Sequence, residues 1–107
     1  MSEQVMVVVQ SRMDVLDVSA DARVLAASQG ARPRKASELA VVVADLATNA
    51  VRHGRGALVK LAVGSAGWTV EVEGTKRRGQ ADLSDVRRFA TRLELRGTSV
   101  IAHGEFS

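Results

Sequence analysis

The stretch ADLATNAVRHGRGALVKLAV, residues 44–63, passes from a helical pattern to a strand pattern, and its reading decides the fold. Up to Gly54 the apolar residues Leu39, Val42, Val43, Leu46, Ala47 and Ala50 recur at spacings of three and four. That spacing lines one wide face of a helix. Pro33 stands at or just before its start, where a missing N–H costs nothing, and Gly54 ends it at about His53. Beyond the glycine, ALVKLAV reads as a strand. Residues 68–74, WTVEVEG, read as a second, because Trp68, Val70 and Val72 alternate with Thr69, Glu71 and Glu73. Alternation of period two is the mark of a half-buried strand. Gly64-Ser65-Ala66-Gly67 between them is turn chemistry, so the two strands pair as an antiparallel hairpin.

Working outward, residues 5–9 (VMVVV) read as a short strand buried on both faces. From Asp14 to Ser28 the positions Val15, Val18, Ala22, Leu25 and Ala26 have helical spacing, and Gly30 closes the segment as a C-terminal cap. Residues 74–81 form a polar loop. Residues 82–93 (DLSDVRRFATRL) read as a third helix, with Leu83, Val86, Phe89, Ala90 and Leu93 on one face and Arg87, Arg88 and Arg92 on the other. Two further strands close the chain, turning at Gly97. This order predicts one α+β domain over residues 1–107: a two-layer α/β sandwich whose mostly antiparallel, mixed sheet carries three helices on one face. A doubly wound parallel fold does not fit.

Composition narrows the function. Apolar residues make up 46% and charged residues 25%, the balance of an ordinary globular protein. With no cysteine there is no disulfide framework and no thiolate chemistry. The two histidines, His53 and His103, stand far apart. No apolar run approaches the length of a membrane span and the N-terminus lacks an export pattern, so a cytoplasmic location is expected, with no membrane partner. The net charge is +3, and twelve of the fifteen basic residues are Arg. Three aromatic residues are too few for a base-stacking platform, which argues against nucleic acid as the partner.

Asp45 and Asn49 lie one helical turn apart and share a face. A carboxylate can orient an attacking hydroxyl, and an amide oxygen can help complete the octahedron of a Mg²⁺ that bridges phosphates. The competing reading is a polar pair on a partly exposed helix face.

The run Asp45-Leu46-Ala47-Thr48-Asn49-Ala50-Val51-Arg52-His53-Gly54 resembles the N box of the GHKL (histidine kinase-like) ATPase superfamily. It is most similar to the small bacterial branch of RsbT-like switch kinases and RsbW-like anti-sigma factors. Residues 5–31 are similar to the first strand and helix of that branch, and residues 83–103 to its last helix and closing strands. The resemblance implies Asn49 as a Mg²⁺ ligand and Asp45 at the position of the family's general base, usually Glu. Arg52 and His53 lie a turn further on, where phosphate or the lid can be reached, and Lys76 with Arg77 and Arg78 can hold phosphate by charge. The resemblance also implies a STAS-domain protein or a sigma factor as partner.

Two other family elements are changed. The family carries an Asp followed by glycines (D-x-G-x-G) directly after the strand matching WTVEVE, and the carboxylate binds the adenine amino group. Here Gly74 stands in place of that Asp, and Lys76 and Arg78 in place of the glycines. Glu73 and Asp82 are acidic neighbours at other spacings. The glycine-rich lid, whose amides cradle the phosphates, is missing: the polar loop runs straight into residues 81–89 with Gly79 alone. The expected function is therefore regulation by protein–protein binding in a bacterial partner-switching circuit, without ATP-dependent catalysis and with no cofactor.

Two alternatives have their own residues. One is an active serine-protein kinase, using ATP and Mg²⁺ with a lid supplied in trans, that phosphorylates a STAS-domain partner. The other is a polyanion binder working through Lys76-Arg77-Arg78 and the face of Arg87, Arg88 and Arg92. Loss of the lid is also expected to bare apolar surface between the last helix and the helix of Asn49, to be covered by a homodimer mate or another partner.

Overall fold

The first helix is fixed at both ends by its own sequence. Ser11 accepts a hydrogen bond from the Asp14 amide at 3.1 Å, and the Asp14 carboxylate accepts from the Ser11 amide at 3.2 Å, a reciprocal capping box. At the other end Gly30 adopts a φ of 95°, which lets the Ala31 amide reach the Ala26 carbonyl and its own amide reach that of Ala27, each at 3.0 Å. This is a Schellman closure, and the left-handed backbone it needs favours glycine.

The computed structural model describes residues 2–53, 56–74 and 83–106. In chain order the elements are β1 (Glu3–Val9), α1 (Arg12–Ser28), α2 (Pro33–His53), β2 (Ala57–Val63), β3 (Gly67–Glu73), α3 (Ser84–Phe89), β4 (Arg92–Arg96) and β5 (Ser99–Glu105). The strands form one sheet in the order β1-β2-β3-β5-β4, and all four ladders are antiparallel. The result is the expected α+β sandwich, with a sheet that is antiparallel throughout.

The core lies between the sheet and the helices. Ala57, Val59, Leu61 and Val63 of β2 are buried with Trp68, Val70 and Val72 of β3 and Val100 and Ala102 of β5. Against them pack Val15, Val18, Ala22 and Ala26 of α1, and Leu39, Val42, Val43, Leu46, Ala47 and Ala50 of α2. Val86 anchors α3 to the same cluster. The register predicted for β3 therefore holds, as do the apolar stripe of α2 and the turns at residues 64–67 and Gly97.

Two expectations are corrected. β1 is not buried on both faces: it is an edge strand, Met6 is 65% exposed and Val8 61%, and only Val9 is fully enclosed. The helices cover one face of the sheet, so the alternate residues of β1 face outward. The third helix is also shorter than its pattern. Ala90 is extended (φ −86°, ψ 144°), and the Thr91 amide donates to the His103 carbonyl at 2.7 Å, so sheet pairing takes over there. Arg92 and Leu93 consequently belong to β4, where they pair with His103 and Ala102. Among the described residues no helix is long and apolar enough to cross a membrane.

Candidate functional site

Helix α2 buries one face and turns a polar one outward. Residues at i, i+3, i+4 and i+7 share a face, so Asp45, Thr48, Asn49 and Arg52 line up along it. With Ser84 and Asp85 from the start of α3 they line a cleft of about 250 Å³. Asp45 and Asn49 are half-buried; Thr48, Arg52, Ser84 and Asp85 are exposed. The structure thus brings Asp45, Asn49 and Arg52 together. The His53 side chain, Lys76 and Asp82 lie outside the described residues.

Two carboxylates, an amide, two hydroxyls and one guanidinium make this cleft polar. The described lining therefore does not provide the apolar groove expected between these helices. Such groups can hydrogen-bond a polar peptide or bring oxygen donors to a cation. Among the described residues, no group of three or more His, Cys, Asp or Glu side chains is placed to hold a metal ion.

At the end of β3, where the resemblance leads one to expect the adenine-binding acid, the chain carries Glu73 and Gly74. Gly74 leaves β3 with a φ of 94°, a conformation strained for any other residue, including the Asp that the resemblance expects there. Glu73, the acidic residue before it, is paired with a lysine. Its carboxylate sits 2.8 Å from Lys60 Nζ on the open face of the sheet, opposite the helices, because Val72 next to it points into the core. Glu73 in turn holds the Lys60 pKa above its ordinary value, through the hydrogen bond and then the charge.

A second polar cluster occupies the open face at the far side of the sheet. His103 Nδ1 is 3.1 Å from Thr69 Oγ1, and its Nε2 is 3.0 Å from Glu94 Oε2 and 3.1 Å from Arg92 Nη2. Arg96 Nη2 donates to Glu94 Oε1 at 3.3 Å. The His103 hydrogen bond, followed by the charges of Arg96 and Arg92, lowers the Glu94 pKa. Sequence reasoning treated His103 as isolated. The signal was available in the closing hairpin, since a turn at Gly97 sets Arg92 opposite His103. Arg92 therefore stands on the sheet, whereas Arg87 and Arg88 are exposed on α3, where Arg88 lies 5.5 Å over the Phe89 ring. The three arginines do not form one helix face.

In comparisons with known proteins, the chain matches no protein-family model and no curated protein.

Proposed function

We propose that this chain is a regulatory protein of the anti-sigma and switch-kinase type, acting in the cytoplasm by binding a STAS-domain protein or a sigma factor without ATP-dependent catalysis. The reading rests on the N-box resemblance of residues 45–54 and is supported by the shared cleft of Asp45, Asn49 and Arg52. The observation that carries its non-catalytic half is the pairing of Glu73 with Lys60 beside a positive-φ Gly74, which among the described residues leaves no unpaired carboxylate at that end of β3 for adenine. Phosphoryl transfer depends almost wholly on positioning and charge stabilisation, so a chain without base selectivity or a phosphate cradle is a poor kinase.

The kinase alternative draws on Asp45 and Asn49 lining one cleft with Ser84. It requires a lid from another chain. The two readings separate when purified STAS-domain and sigma-factor proteins of the source genome are titrated with this chain, with and without Mg²⁺ and ATP. Saturable binding that ATP leaves unchanged, and that Asp45→Lys and Asp85→Lys weaken, supports the proposal. Transfer of phosphate to a bound partner, or no binding to any of them, overturns it.

A further inference from the structure

Helix α1 has a second apolar face. At about 100° per residue, Met13, Leu16, Ala20, Val24 and Ala27 fall within an arc of about 80°, roughly opposite the core-facing Val15, Val18, Ala22 and Ala26. All five are exposed, Met13 and Val24 at 66% and Leu16 at 57%. Single exposed apolar residues are ordinary. Five aligned along most of a seventeen-residue helix are a surface built to be covered.

The charges beside the stripe indicate the occupant. Arg12 and Arg23 border it on one side, Asp17 and Asp21 on the other, all four exposed. Among the described residues, none of the four takes part in an ion pair or a side-chain hydrogen bond. Such a stripe complements itself in one orientation. When two copies pack α1 against α1 in parallel about a two-fold axis, the basic border of each meets the acidic border of the other. Arg12 and Asp17 stand five residues apart, the spacing at which flanking charges pair between parallel helices of a coiled coil. An antiparallel pair sets basic against basic and acidic against acidic.

We propose that this face of α1 is a homodimer interface: a parallel α1–α1 pair, with Met13, Leu16, Ala20, Val24 and Ala27 along its seam and Arg12 and Arg23 facing the partner's acidic border. It lies on α1 and is independent of the cleft on α2. One short helix per copy makes a small interface, so the dimer is weak and dissociates on dilution.

Sedimentation equilibrium of the full chain at low salt tests this, with three variants. Wild-type protein shows a concentration-dependent dimer that added salt weakens. Reversal of the basic border (Arg12→Glu with Arg23→Glu) or of the acidic border (Asp17→Lys with Asp21→Lys) raises the dissociation constant by about a hundredfold or more. Mixing the two reversed chains restores a dimer containing one of each. Leu16→Asp leaves the monomer folded by circular dichroism and abolishes the dimer, which keeps the test valid should a reversed chain fail to fold. Three results overturn the proposal: a wild-type chain that stays monomeric, including one whose stripe takes up an unrelated amphipathic helix; a dimer indifferent to both reversals; and reversed chains that do not pair when mixed.

Discussion

Helices α1 and α2 lie side by side on one sheet, tied where Ser19 Oγ donates to the Ala40 carbonyl at 3.0 Å, yet they use their outer faces in opposite ways. α2 is apolar inward and polar outward, and its outer face carries Asp45, Thr48, Asn49 and Arg52 into the cleft. α1 is apolar on both sides, and apart from the capping Asp14 its charges stand at the borders of its outer stripe. Burial alone accounts for the inner faces of both. The outer faces are not needed for the core: that of α2 carries the proposed recognition cleft and that of α1 the proposed self-association stripe.

The sharpest way to break this contrast is one substitution made in both helices. Leu39→Ala empties a fully buried site on α2. It should cost about 2–5 kcal/mol, the range for large-to-small changes in a packed core. Leu16→Ala on the outer face of α1 should change the stability of dilute protein by no more than about 0.5 kcal/mol. Denaturant unfolding checks both, and comparable losses would mean that the outer face of α1 is packed like a core.

A smaller effect is expected at the start of α1. Ser11→Ala removes the hydroxyl that accepts from Asp14 and should cost about 1 kcal/mol, typical for loss of an N-cap. Asn49→Ala, on the outer face of α2, should stay within about 0.5 kcal/mol, since its side chain makes no hydrogen bond to any described residue.

The smallest effect lies on the open sheet face, away from both helices. Glu94 has a lowered pKa in the folded protein, so its contribution is present above the ordinary glutamate value. It is lost as pH falls through the lower folded value, where the unfolded chain already binds the proton. Unfolding followed through the acid range should therefore show a shallower loss of stability for Glu94→Gln than for wild type. Identical pH profiles would mean that the His103 contact contributes nothing in solution.

Much of this architecture was legible from local chemistry. Period-two alternation set the register of β3, the wide stripe set the buried face of α2, and Gly30 and Gly97 marked a helix end and a turn. What escaped was non-local. An apolar run such as VMVVV says strand but not how many of its faces are covered, and only the sheet order makes β1 an edge. Leu83, Val86, Ala90 and Leu93 keep a helical spacing that Leu93 also satisfies as a strand residue opposite Ala102, so the end of α3 was decided by pairing with β5. In the site, helical spacing predicted that Asp45 and Asn49 share a face. Ser84 and Asp85 reach it from a different element, which spacing along α2 cannot reveal. The outer stripe of α1 was written in the sequence too, at the same spacings as the core face beside it.

We propose that the cleft of Asp45, Asn49 and Arg52 has no nucleotide function, although residues 45–54 resemble an N box. Isothermal titration of the chain with Mg²⁺ and ATP tests this most directly, with Asn49→Ala as the control. No saturable heat is expected from wild type or variant up to millimolar nucleotide, while both remain folded. Saturable binding at micromolar ATP that Asn49→Ala abolishes would contradict the account.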